Sequence, residues 1–458
     1  MRLVSLLSVG LLTACVPSPG AEVTMNKSTF SATDGFQLPA AMNRFGLTAA
    51  GRPRQSNAEI ARDFLELTFA MESGRPLPVF TRFEGQITVR MKGPVPPGAA
   101  TDLARLLSRL RREAGLNVRE IANGIASINI EFVPRDAIQT TFSNVACFVV
   151  PRVTSWAEFK GARRNGKLDW TTLKQRDQVS AFVPSDSSAQ EVRDCLNEEI
   201  AQAMGPLNDL YRLTDSIFND DNFRTTLTGF DMTILRAYYA PELRSGMNRA
   251  EVAARLPGIL DRINPAGNFG GAAAPIPTPR FWVNSIIAAL RAGTSGSRRI
   301  DAARQALSTA RAQGWTDGRL AFSYFALGRT TLASDPQTAI AAFAEAGRIY
   351  RGIPGGEIHV AHVDMQLAAY ALSRGEAGRA IDIANRAIPV VAAAENAALM
   401  ATLMLVKSEA LKMQGRGAEA RAVRIDSTGW ARYGFGSDVQ VRARISEIEA
   451  LGQRGRKS

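Results

Sequence analysis

Between Glu198 and Asp209 the chain reads Glu-Glu-Ile-Ala-Gln-Ala-Met-Gly-Pro-Leu-Asn-Asp. On a helix, Glu198 and Gln202 stand four residues apart and share one face, as two ligands of a single metal ion must. Glu199 beside them is placed to act as general base on a held water, Gly205 to turn the chain, and Asn208 or Asp209 to supply a third ligand. All of these donors are oxygens apart from the amide nitrogens, which suits a hard divalent cation better than zinc. The competing reading is a solvated helix surface that carries Glu198 and Glu199 outward while Ile200 and Met204 pack inward.

Other nucleophilic or metal-binding arrangements are scarce. The two histidines, His359 and His362, lie three apart on a segment that reads as the solvated face of a repeat helix, so a three-histidine zinc site cannot be assembled. No Gly-x-Ser-x-Gly elbow occurs, and Gly267 to Gly271 lacks the Lys-Ser or Lys-Thr that a phosphate loop requires. The acidic run Asn219-Asp220-Asp221-Asn222 lacks the alternating ligand spacing of an EF-hand and reads as a polar turn capping the next helix.

The elements that must position Glu198 to Asp209 follow an α+β pattern. Periodicity predicts a helix over 58–71, a strand over 87–91, a helix over 99–113 and a strand over 125–132. Two apolar strands at 147–153 and 178–183 precede a long helix over about 188–204, and a further helix covers 230–239. A Gly/Ala/Pro linker at 264–280 then separates a domain at 57–263 from a helical domain at 281–458. In that second part Ala-rich helices alternate with short breaks. Ala339, Ala380 and Ala420 recur at a period near 40, as in helix-turn-helix repeats whose small residues let paired helices approach.

The Glu198 segment has the spacing of the metzincin signature, H-E-x-x-H-x-x-G-x-x-H, without its histidines. Asp215-Ser216-Ile217-Phe218-Asn219 stands where metzincins have their tight turn, and Leu227 to Tyr239 stands where a helix ends near a tyrosine. Residues 57–263 therefore resemble a zincin-type domain with a degenerate metal site, and the helical part resembles tetratricopeptide repeats. More closely, Phe64-Leu65-Glu66-Leu67-Thr68-Phe69, Gly205-Pro206-Leu207-Asn208-Asp209-Leu210-Tyr211 and Phe218-Asn219-Asp220-Asp221-Asn222-Phe223 resemble the DUF2927 lipoproteins, a family of unknown function.

Residues 1–15 carry Arg2, an apolar run from Leu3 to Leu12, and Leu12-Thr13-Ala14-Cys15, a lipobox that predicts cleavage before Cys15 and lipidation of its thiol. Residues 16–56, rich in Ser, Thr, Pro, Gly and Asn, read as a flexible tether. The expected place is the bacterial envelope, at the outer membrane facing the periplasm, where Cys147 and Cys195 would pair. With 55 Lys+Arg against 43 Asp+Glu the net charge is +12, spread along amphipathic segments. Export argues against nucleic acid as a partner. These readings predict a lipid-anchored binding or assembly protein whose zincin-like domain is a pseudoenzyme and whose partner is an envelope protein or peptidoglycan. A divalent cation is a possible cofactor, and the alternative is an envelope hydrolase using Glu199 as base.

Overall fold

A computed structural model describes residues 40–456 apart from 42, 47–48, 143–144 and 292. The lipobox and Cys15 lie outside the described residues. Ser56 opens α1 (Asn57–Thr68) with a capping box to Glu59. There follow β1 (Ile87–Lys92), α2 (Ala99–Glu113), β2 (Val118–Glu120), β3 (Ile128–Val133), α3 (Arg135–Thr141), β4 (Phe148–Pro151), α4 (Trp156–Ala162), β5 (Val179–Pro184), α5 (Ala189–Met204), α6 (Gly229–Tyr238) and α7 (Arg249–Ile263).

Among the described residues the strands form one sheet in the order β2-β1-β3-β5-β4. The β1, β2, β3 and β5 pairings are parallel and β4 runs antiparallel along β5 at the edge. This N-terminal region is thus a mixed α/β structure. The central strands β3 and β5 are buried along nearly their whole length, and their polar Asn129 and Ser180 are bonded within the fold, to the Ala126 backbone and the Val153 carbonyl. Cys147, just before β4, is disulfide-bonded to Cys195 on α5, with Cα atoms 6.0 Å apart. The bond fastens α5 to the strand at the sheet's edge.

Four elements were not expected from sequence. β2 has three residues, α3 and α4 have seven each, and α7 contains Pro257, which reads as a helix breaker.

The second region is a run of packed helices: α8 (Arg280–Leu290), α9 (Gly296–Ala312), α10 (Gly318–Thr331), α11 (Pro336–Arg351), α12 (Glu357–Ser373), α13 (Ala377–Ala393), α14 (Ala397–Met413), α15 (Gly417–Phe435) and α16 (Asp438–Gly455). α11, α13 and α15 begin at Pro336, Ala377 and Gly417, 41 and 40 residues apart. Each packs against the helix before it. Ala339, Ala380 and Ala420 are all buried in these seams. The turns into α13 and α15 use Gly375 and Gly415 at φ 78° and 77°, a left-handed conformation that favours glycine. Among the described residues no helix is long and apolar enough to cross a membrane.

The two regions are joined by specific polar contacts. The Tyr433 hydroxyl on α15 donates to Asp102 on α2 at 2.7 Å. Gln190 on α5 donates to Asn396 at 3.2 Å and accepts from the Ala398 amide at 2.8 Å. The segment read as a tether is not free throughout: Phe45 is buried against Ala397 and Tyr433, and Arg54 pairs with Glu357 on α12.

Candidate functional site

α5 begins at Ser188, whose side chain accepts from the Glu191 amide. Its other end is held by Arg176, which is almost fully buried. The guanidinium donates to the Gln202 and Ala203 carbonyls at 2.7 Å each, and to Gly205. A cation at this point satisfies carbonyls that a helix end leaves open and opposes the negative end of the helix dipole. The Tyr239 hydroxyl at the end of α6 donates to the Met204 carbonyl at 2.9 Å. Gly205 packs tightly: a Cβ there would stand 3.2 Å from the Tyr238 ring, closer than ordinary contact.

Beyond Gly205 the chain turns back along α1. The Leu207 amide donates to the Leu67 carbonyl, Asn208 donates to the Glu66 carbonyl at 3.0 Å, and Arg212 grips Asp63 and Glu66 at 2.6 and 2.9 Å. The next loop is fixed by Asp231 on α6, which accepts from the Ser216 hydroxyl at 2.6 Å and the Ile217 amide at 3.1 Å.

These constraints bring together carboxylates that are remote in sequence. Glu72, Asp209 and Asp220 each offer an oxygen, and the three oxygens lie within 4.8 Å of one another. Gln202, 5% exposed, extends its amide nitrogen to Glu72 and Asp209 at 3.4 Å each. Glu198 is half-buried on the same face of α5. Glu199 is 3% exposed, and its Oε2 has no hydrogen-bond partner; nor has Asp209 Oδ1.

Burial and the mutual repulsion of these acids favour their protonated forms. Glu198 is pushed up to about 8 by burial and by Glu72, Asp220 and Asp194. Asp220 is pushed up to about 7 by burial, Glu72 and Asp221. Burial, then neighbouring acids, hold Glu199 and Asp209 well above the usual carboxylate range. Arg280 at the start of α8 offsets part of the charge on Glu72 and Asp220.

Of the residues expected at the site, Gln202 meets Asp209 at 3.4 Å, while Glu198 and Glu199 lie within electrostatic range of Glu72 and outside the group whose oxygens come together. Asn208 does not join their bond network, because its amide is engaged by the Glu66 backbone. The solvated-face reading fails for Glu199, which is 3% exposed, and holds only in part for the half-buried Glu198. The sequence reading missed Glu72 and Asp220. Asp220 sits in the acidic run taken for a helix-capping turn, but the next helix, α6, is capped by Thr228 with Asp231.

The histidines are not on a solvated face. His359 and His362 are fully buried, with His359 Nε2 2.9 Å from Asp221 and the His362 ring stacked on Phe223 at 4.3 Å. The residues at the recess do not fit zinc: the donors are carboxylates and one amide, with no imidazole or thiolate among them. No curated protein and no solved structure matches the chain. Over residues 57–258 it matches the family model described as protein of unknown function, DUF2927.

Proposed function

We propose that this chain is a lipid-anchored protein of the bacterial envelope that holds another envelope component, a protein or peptidoglycan, without cutting it. The observation that carries this reading is the donor set on α5. The Glu198 and Gln202 places keep the helical spacing of a zincin-like site, yet the imidazoles that catalytic zinc needs are absent from it, and both histidines are engaged elsewhere. The lipobox at Cys15 supplies the anchor. The Cys147–Cys195 disulfide agrees with an oxidising compartment.

The helix pairs of α10–α15 are read as tetratricopeptide-like on their period and their buried alanines. Between α11, α12 and α13 lies an open pocket of about 270 Å³ lined by Arg351, Arg386, Val360 and Val390 together with Glu357 and Asp364, the last paired with Arg386 at 2.7 Å. Apolar side chains flanked by charges of both signs suit a peptide segment.

The test pairs binding with hydrolysis. Full-length protein is sedimented with purified sacculi, and a photo-crosslinking amino acid at Val390 reports contacts in cells. Sacculus binding or one discrete adduct, with sacculi and casein uncut, supports the reading. A second reading, an envelope hydrolase, is favoured by one observation: the buried, unpartnered Glu199 oxygen, placed as a general base. Cleavage that disappears in Glu199→Gln would replace the first reading with the second.

A further inference from the structure

We propose that the recess at the end of α5 binds one hard divalent cation of calcium size through the carboxylates of Glu72, Asp209 and Asp220. The three acids come from separate segments: the loop after α1, the turn after α5 and the loop before α6. Their oxygens nevertheless lie within 4.8 Å of one another. Like charges held this close must be neutralised by protons or by a cation. The nearby Arg280 does not bridge them, since its guanidinium donates to the Glu72 backbone carbonyl at 3.2 Å.

A second observation is independent of the cluster. Glu199, 3% exposed on α5 and within electrostatic reach of Glu72 and Glu198, has an oxygen with no donor. Within the cluster itself, Asp209 Oδ1 is also enclosed and unpartnered among the described residues. Unpaired buried acceptors are rare because each carries a desolvation penalty, and a cation in the recess offsets it.

The donors select the ion. All three are carboxylate oxygens, the ligands of hard cations. Calcium accepts irregular sets of carboxylates drawn from separate segments, whereas magnesium demands near-ideal octahedral geometry and gives up its waters reluctantly. An ion here would tie three segments of the α/β region together and, through Asp221 beside Asp220, reach His359 on α12. This holds whether or not the helical surface retains a partner.

The test uses the full-length chain in detergent, stripped with EDTA and titrated calorimetrically with calcium, magnesium, manganese and zinc chlorides. Thermal melts and far-UV circular dichroism follow each variant. We expect one calcium per chain with a Kd on the order of 10⁻⁴ M or tighter, and weaker magnesium. Glu72→Gln and Asp220→Asn should each weaken calcium at least about tenfold while keeping the native spectrum. Glu242→Gln, in a remote ion pair with Arg262, should not. Three results would each overturn the proposal: no heat and no thermal shift with any of the four ions up to about 10 mM; calcium binding that both recess variants retain; or zinc binding tighter than calcium that survives Asp220→Asn.

Discussion

The His359 imidazole on α12 meets the Asp221 carboxylate at 2.9 Å, and both side chains are buried. Asp221 follows Asp220, so one dipeptide faces the acidic recess with its first residue and the helical region with its second. The adjacent Phe223 amide and the Asn219 side chain complete the Asp221 coordination at 3.0 and 2.9 Å. The loop that shapes the recess is therefore held by a helix more than a hundred residues away.

This pairing can be weighed by mutation. His359→Leu removes one of three donors to a buried carboxylate and should cost about 2–3 kcal/mol, read as a lower urea midpoint at unchanged slope. Asp221→Asn keeps an acceptor for the ring and should cost about 1 kcal/mol. Equal losses from the two would show that His359 acts by packing alone.

The recess makes stability depend on pH. Glu198 is raised to about 8, with Asp220 at about 7, so the folded chain holds protons there that the unfolded chain has released. That contribution is complete below the unfolded carboxylate range and is lost as pH rises through 7 and 8. His362 has the opposite sign. Burial, then His359 and Arg329, depress it to about 3, so its contribution is lost as pH falls from about 6.5 towards 3. Between pH 6.5 and 8 the carboxylates act alone of the two. Chelator-treated protein should melt at falling temperature across that window, and Glu198→Gln should flatten the fall. A melting temperature that rises from pH 6.5 to 8 would contradict the assignment.

How far the sequence disclosed this arrangement depended on whether the signal was local. α5 was legible because Ser188 caps it and Gly205 ends it, and β3 and β5 because short runs rich in Ile, Val and Phe mark strands even where Asn129, Glu131 and Ser180 interrupt them. Glu198, Gln202 and Asp209 were legible because helix geometry alone relates the first two and a turn adds the third. Glu72 was not: it lies 130 residues before Gln202 in an ordinary post-helix loop, and only the return of 207–212 along α1 brings it close. The histidines misled for a related reason. α12 is covered by its neighbouring helices on one side and by the 221–224 loop on the other, so its polar positions did not mark a solvent face.

The disulfide has a measurable share in this. It closes a separation of 48 residues between the edge strand and α5. Replacing Cys147 and Cys195 together by Ala should cost about 2–4 kcal/mol. The wild-type protein in reductant should show the same loss and the double variant no further change. A reductant effect that persists in the double variant would place it elsewhere.

Arg176 offers the sharpest separation of architecture from charge. Its guanidinium satisfies carbonyls of Gln202, Ala203 and Gly205 and lies 5.2 Å over the Trp170 ring, with no carboxylate partner. Arg176→Met preserves much of the volume but leaves buried carbonyls without donors, a loss of about 2–4 kcal/mol. Arg176→Lys keeps the charge but not the planar fork that reaches several carbonyls together, and should recover only part of the loss. Because these carbonyls flank the turn leading to Asp209, both variants should also shift the amide resonances of Gly205 to Asp209 in a nuclear magnetic resonance spectrum, while those of β1 stay in place. If Lys restored stability in full, positive charge near the helix end would be sufficient, and the fork geometry assigned to Arg176 would have to be given up.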